Sequence, residues 1–382
     1  MPEILKEIDW LTLTSFFIAL LVSLISIPVI IRVARIKHLM DMPNSRSVHR
    51  DSIPTLGGIA IFASLVIPVL LFSDFSEAAG TNYILASVIL LFFIGVKDDI
   101  LIISATKKLV VQVIAALMVI VLADIRIKSF YGIFSLFEIP YISSVLFSLF
   151  VYIVIINAFN LIDGIDGLAG GIGVIIALTF GIWFFISGNT SMATLAVSLA
   201  GALVGFLYFN FSARRKIFMG DTGSLIVGFV IATLATKFMD LNRIYAGEFY
   251  AIRNAPAVVI FILSIPLFDA LRLFITRILT GNSPFQADRN HFHHILLKCR
   301  FSHIESSLIL YTTNILIISL AFTLIQEIGR YASLGALFII FIFYWFIVSV
   351  LGRKQRKSPS PISNPKEKDD SGEDLVERRM VN

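Results

Sequence analysis

The chain is 382 residues long, 57% hydrophobic and only 15% charged, whereas a soluble domain carries about 25% charged residues. With a mean hydropathy of +0.88, the composition excludes a string of water-soluble domains and leaves an integral membrane protein. The net charge of +5 is assigned to membrane orientation, so no nucleic-acid partner is expected.

Glu3, Glu7 and Asp9 stand where a secretory signal would carry basic residues, so a cleaved signal is not expected. A spanning helix needs about 20 apolar residues. Apolar runs at 11–31, 56–73, 83–97, 107–123, 142–158, 169–187, 192–210, 224–239, 256–275, 305–325 and 332–351 predict eleven helices in an all-α, polytopic membrane protein. Placing the N-terminus outside puts 24 of the 31 Lys and Arg on inner connections and the tail and 7 on outer ones, which predicts an N-out, C-in topology. The outer loop Asp124 to Tyr141 alternates apolar and polar residues around Gly132 and predicts a small hairpin. Residues 1–352 form the membrane domain. The segment 353–382 is charged, poor in apolar residues and predicted to be disordered, with its first basic cluster against anionic lipid headgroups.

Carboxylates are costly in such a chain, and their placement is informative. Asp98 and Asp99 end the third run in GVKDDI, Asp163 and Asp166 follow the fifth in NAFNLIDGIDGLAGG, and Asp221 precedes the eighth in KIFMGDTGS. All fall on the inner face. A lone Asp at a helix end is commonly a cap, but three loops presenting acids beside glycines point to one site. Adjacent Asp98 and Asp99 repel, and no Lys or Arg lies in the loop holding Asp163 and Asp166, so a divalent cation is the natural partner. One or two carboxylates with substrate phosphates suit Mg2+, with Mn2+ as the alternative. Arg46, His49 and Arg50 in DMPNSRSVHRDSIPTLGG, Lys107 and Lys108, and ADRNHFHHILL supply basic groups on the same face. Gly57 and Gly58, like Gly164, Gly167, Gly170 and Gly171, would let backbone approach a ligand; for the pair in a membrane helix, helix packing is the favoured alternative, and for the acidic loop the ligand reading is favoured. The triplet His291, His293 and His294 is read as a clamp for pyrophosphate or sugar rather than a zinc site, because i+1 and i+2 neighbours on a helix face apart and no Cys-based site is available beyond Cys299. Asp269, inside the ninth run, lies three residues before Arg272, and a local ion pair accounts for it.

In order, DMPNSRSVHRDSIPTLGG, GVKDDI, NAFNLIDGIDGL, FMGDTGS and DRNHFHH resemble the polyprenyl-phosphate N-acetylhexosamine-1-phosphate transferases over roughly residues 30 to 300. Asp41, Pro43, Asn44, Arg46 and His49 with HFHH are similar to the branch using UDP-N-acetylglucosamine (the WecA/TagO type), more than to the phospho-MurNAc-pentapeptide transferases. One departure is Ser47, where that branch usually has Lys and branches using other UDP-N-acetylhexosamines often have Ser. The resemblance implies a polytopic helical fold, commonly dimeric, in a bacterial cytoplasmic membrane with its Mg2+ site facing the cytoplasm. It implies Asp221 and Asn160 as metal ligands, Asp98 and Asp99 as the pair placing the lipid phosphate, Lys108 as a phosphate-binding lysine, Phe218 as the ring stacking on uracil, Asp166 as the uridine contact, and Asn157 and Asn210 as substrate contacts. The reaction implied is transfer of N-acetylhexosamine 1-phosphate from a UDP-sugar to undecaprenyl phosphate, with release of UMP. Alternatives are the same reaction with another donor, UDP-FucNAc, UDP-QuiNAc or UDP-MurNAc-pentapeptide, and a multi-pass transporter. A transporter places its ionisable residues near the bilayer midplane, whereas the acids here gather at one surface.

Overall fold

The computed structural model describes residues 10–39, 53–73, 80–101, 103–281, 291–325 and 327–356, with side chains to Arg353. Among these, thirteen α-helices form: α1 (Trp10–Ile36), α2 (Gly57–Phe72), α3 (Thr81–Leu101), α4 (Ala105–Leu117), α5 (Tyr141–Ile162), α6 (Leu168–Ile186), α7 (Thr190–Asn210), α8 (Gly220–Ile244), α9 (Ala255–Ile262), α10 (Ser264–Leu279), α11 (Phe292–Lys298), α12 (His303–Leu320) and α13 (Arg330–Arg356). Each predicted apolar run coincides with a helix or helix pair. Eight helices are long and apolar enough to cross a membrane, and α9 with α10 would make a ninth span. The protein is therefore an all-α, polytopic membrane protein, as its composition requires.

Helix α8 is the axis of the bundle, buried along nearly all of its apolar length, and α2, α3, α5, α6 and α9 pack around it. Close approach on two sides depends on missing side chains. A Cβ on Gly58 of α2 would stand 2.3 Å from the backbone nitrogen of Gly223, and one on Gly95 of α3 would stand 2.4 Å from Cα of Thr222. Helices meet this closely where small residues line the contact. On the outside of the bundle, α1, α12 and α13 present Phe17, Leu21, Leu316, Phe338 and Phe343, a surface suited to lipid.

The run 256–275 is not one continuous helix. It bends by 82° between Ile262 and Ser264. Pro266 stands four residues after Ile262, so it has no N–H to complete that helical hydrogen bond. Asn314 of α12 replaces it, donating from Nδ2 to the Ile262 carbonyl and the Ser264 hydroxyl at 3.2 Å each, which is how broken backbone is satisfied in lipid. The predicted hairpin is also corrected. Between Asp124 and Tyr141 the described residues form a single bridge, Ile133 to Leu136, without a ladder. Ser144 and Ser148 of α5 instead hold the segment, the first donating to the Ile127 carbonyl (2.5 Å) and the second accepting from its N–H (2.8 Å). Helix α13 continues four residues beyond Gly352.

Candidate active site

Asp98, Asp99, Asp163, Asp166 and Asp221 come from three separate connections, and the packing of α3 and α5 on α8 carries all three to the same end of the bundle. Lys108, in the first turns of α4, places its ammonium between two of these acids, 3.1 Å from Asp98 Oδ2 and 2.6 Å from Asp221 Oδ1. Asn160, in the last turn of α5, donates to the same Asp221 oxygen at 2.5 Å and to Ser224 at 2.9 Å. Asp221 still has 34% of its side chain open to solvent. Asp98 is nearly enclosed and also accepts from the Ile103 N–H at 2.8 Å.

Asp98 and Asp99 do not act as a repelling pair that shares one cation. Asp99 turns toward α8 and accepts from the Asp221 N–H (2.7 Å), the Thr222 N–H (3.2 Å) and the Thr222 hydroxyl (2.6 Å). These are the free donors of the first turn of α8, so Asp99 caps that helix from another element and meets its positive end. Gly220 makes this approach feasible. It has φ of +71°, and a Cβ there would lie 2.8 Å from both Asp99 oxygens.

The acidic loop is likewise not left without basic partners. Lys216 Nζ lies 2.6 Å from Asp166 Oδ2, and His303 Nδ1 lies 3.0 Å from the same oxygen. Burial alone would raise the Asp166 pKa, but the hydrogen bonds from His303 and Lys216 outweigh it and hold the carboxyl below its ordinary value. The ammonium of Lys216 also stands 5.7 Å over the half-buried ring of Phe218. No basic residue among the described ones pairs with Asp163. Its close packing, followed by repulsion from Asp221, Asp99 and Asp166, pushes its pKa up to about 7.

His291, His293 and His294 sit at the start of α11, with the rings of His291 and His293 stacked 5.4 Å apart. His291 Nδ1 lies 2.8 Å from Asp269 Oδ2, while Asp269 Oδ1 accepts from Arg272 (2.9 Å), from the Phe292 N–H (3.1 Å) and from the Tyr344 hydroxyl (3.3 Å). The predicted local ion pair thus exists within a larger anchor joining α10, α11 and α13. His293 is carried against the acidic loop, where a Cβ on Gly164 would come within 2.4 Å of its Nε2. Burial, with repulsion from His294, pushes the His293 pKa down to about 3, so its ring is neutral at ordinary pH.

Most glycines of this region approach protein rather than open space. Gly57 donates from its N–H to the Phe218 carbonyl at 2.9 Å and Gly58 to the Met219 carbonyl at 2.8 Å, while Phe218 donates to Pro54 at 2.8 Å. Gly170 faces Leu207 and Gly171 faces Tyr311, with Cβ contacts of 2.9 and 2.1 Å. Gly164 and Gly167 likewise abut side chains, those of His293 and Phe211, and Gly167 has φ of +80°. Asn210 is buried and braces two loops, accepting from the Gly167 N–H at 2.6 Å and donating to the Ile217 carbonyl at 2.8 Å. Asn157 donates to Gln112 at 3.1 Å and to the Ile153 carbonyl at 2.8 Å. Arg46, His49, Arg50, Asp41, Pro43, Asn44, Ser47 and Asp288 lie outside the described residues. Sequence reasoning passed over Lys216, His303, Thr222 and Ser224, whose partners are distant in the chain or belong to the fold of α8.

Among the described residues, no group of three or more His, Cys, Asp or Glu is arranged to hold a metal by itself. The donor set fits a cation of another kind. Asp221 and Asn160 stand side by side, and Asp163 bears repulsion from Asp221, Asp99 and Asp166 that a bound cation would ease. Mg2+ takes one or two protein oxygens and completes its shell with water and phosphate.

Residues 81–239 match the family model described as glycosyl transferase family 4. The chain is 32% identical to a probable undecaprenyl-phosphate N-acetylglucosaminyl 1-phosphate transferase of Bacillus subtilis (strain 168) over 345 residues, covering 90% of this chain and 93% of the relative. It is 29% identical to an undecaprenyl-phosphate alpha-N-acetylglucosaminyl 1-phosphate transferase of Salmonella typhi over 270 residues, 69% of this chain and 70% of that one. A protein of the same name from Escherichia coli (strain K12) is 28% identical over 322 residues, 83% and 84% of the two chains.

Proposed function

The chain belongs to the undecaprenyl-phosphate N-acetylglucosaminyl 1-phosphate transferases of glycosyl transferase family 4, and on that premise we propose how its residues carry out the transfer. The protein is a transferase that moves N-acetylglucosamine 1-phosphate onto undecaprenyl phosphate. The donor in our reading is UDP-N-acetylglucosamine and the leaving group is UMP. An oxygen of the lipid phosphate forms a bond to the sugar-bearing β-phosphorus, and the bond from that phosphorus to the oxygen bridging to UMP breaks. One phosphoanhydride replaces another. The lipid phosphate has a second pKa near ~6, so it reaches the site largely as a dianion and needs no strong base.

The chief obstacle is the approach of two anions. The observation that carries the reading is the ammonium of Lys108, fixed between Asp98 and Asp221 at the end of the bundle where the acidic loops meet. That charge is preorganised for phosphate oxygens and costs no rearrangement during reaction. Asp98 orients Lys108, and Asp99 sets the start of α8 and hence Asp221. Asp221 and Asn160 would hold Mg2+, which when bound would neutralise phosphate charge at the reacting centre. Asp166, Lys216 and the face of Phe218 form the slot proposed for uridine. Neutral His293 supports the acidic loop from beneath as a positioning residue.

We place this end of the bundle on the cytoplasmic face, where the nucleotide sugar is found, on the strength of the Lys and Arg bias. The working unit in our reading is a homodimer. The test is release of UMP from UDP-N-acetylglucosamine with undecaprenyl phosphate, dependent on Mg2+ and lost in Asp221→Asn.

A further inference from the structure

At the end of the bundle opposite the active site, a second polar cavity opens beside the C-terminus of α8. The 25 residues of α8 separate the two, about 37 Å at 1.5 Å per residue. The cavity has a volume of about 570 Å³, and its lining includes Arg243, Arg253 and Arg330 against one carboxylate, Glu327. The buried acid Asp240 pairs with Lys128 through Oδ2 at 3.1 Å and with Arg243 through Oδ1 at 3.5 Å, so Arg243 is partly offset while Arg253 and Arg330 are not. Arg243 Nε is buried without a hydrogen-bond partner among the described residues, an unmet donor that normally has an acceptor. Arg253 and Arg330 have no carboxylate within ion-pair distance among the described residues, and Arg330 lies instead over the ring of Phe137 at 5.8 Å.

We propose that this cavity binds a phosphate group. Guanidinium forks match phosphate oxygens in pairs, and Arg253 and Arg330, with no ion-pair partner among the described residues and only Glu327 in the same lining, leave a net charge for an anion to meet. The volume leaves room for the substituent of an esterified phosphate. Phe137 in the lining is 62% exposed, Tyr331 follows the lining residue Arg330 in the chain and is 58% exposed, and the apolar face of α13 continues through Phe338 and Ile339. Exposed aromatic rings above an apolar face mark a membrane interface, so the phosphate arrives either as a lipid headgroup or free from solution. Phosphate binding here rests on the cavity's own lining and not on the transfer reaction.

The test compares the full chain with the double variant Arg253→Ala/Arg330→Ala. Thermal unfolding is followed in detergent titrated with inorganic phosphate, in phosphatidylcholine nanodiscs and in phosphatidylglycerol nanodiscs. UMP release in detergent, away from anionic lipid, shows that the variant is folded, and Arg253→Gln alone replaces it otherwise. Stabilisation of the wild type by phosphatidylglycerol, weakened in the variant, identifies a lipid headgroup. Stabilisation by inorganic phosphate with an apparent Kd about tenfold weaker in the variant identifies free phosphate. Equal responses of wild type and variant to both anions would overturn the proposal.

Discussion

Asp98 and Asp99 are neighbours in the chain with separate partners in space, and the separation defines two kinds of work. Asp98 steadies Lys108, whereas Asp99 takes three hydrogen bonds from the first turn of α8. Loss of a helix cap costs about 1 to 2 kcal/mol. Asp99→Ala therefore lowers the thermal stability of the detergent-solubilised protein by that order, and Asp99→Asn, which can still accept, lowers it less; equal melting of Ala variant and wild type would contradict the capping role. Asp163 makes a pH prediction. Its folded-state pKa is raised to about 7 from 3.8, so the folded protein retains a proton that the unfolded chain releases at lower pH. The contribution to stability is complete below the unfolded value and is lost as pH rises through about 7. Metal-free wild type loses melting temperature between about pH 5 and about pH 8, and Asp163→Asn has a flatter profile. Identical slopes would show that Asp163 is not perturbed. The acids themselves were legible in the sequence because charge in an apolar chain is conspicuous. The partners of Asp166 were not, since Lys216 lies 50 residues away and His303 lies farther still.

Between elements, the start of α8 is the most constrained contact. Gly58, Gly95 and Gly220 each stand where a Cβ would meet backbone or a carboxylate at less than 3 Å. Backbone cannot yield as a flexible side chain can, so overpacking here costs about 2 kcal/mol or more. Gly58→Ala is expected to lower the melting temperature and to shift Asp221, with loss of UMP release; unchanged melting would refute the close packing. The sequence favoured helix packing for Gly57 and Gly58, and that reading holds, while the ligand reading of Gly170 and Gly171 gives way to contacts with Leu207 and Tyr311. Each of the eleven apolar runs located a helix or helix pair, because burial and lipid both demand them, but among the described residues only eight helices, or nine spans with the bent pair, are long and apolar enough to cross a membrane. The 82° bend was not read, since Pro266 near the start of a helix is ordinarily harmless and only the missing donor to Ile262 exposes the break. The short helix α11 escaped because its placement depends on Asp269, 22 residues earlier.

For the whole molecule, the acidic loops, Lys108 and the histidines share one end of an apolar bundle, and the arginine cavity occupies the other. In the proposed topology the Lys and Arg bias, 24 against 7, has the acidic end inside. With Cys299 replaced by Ser, Glu138→Cys in intact cells is expected to react with a membrane-impermeant maleimide, and Lys107→Cys only after permeabilisation; the reverse pattern would invert the proposed topology. Composition was sufficient to read an all-α, polytopic membrane protein, because the bilayer restricts a chain to few solutions. The convergence of three distant loops into one site belongs to the packing around α8. The claim that this convergence performs phosphosugar transfer is tested most directly by following N-acetylglucosamine 1-phosphate from UDP-N-acetylglucosamine into undecaprenyl phosphate, with UMP measured in parallel. Purified wild type with Mg2+ forms the lipid product and UMP in equal amounts, and Asp221→Asn is slower by at least about a hundredfold. A variant that transfers at close to the wild-type rate would contradict the account.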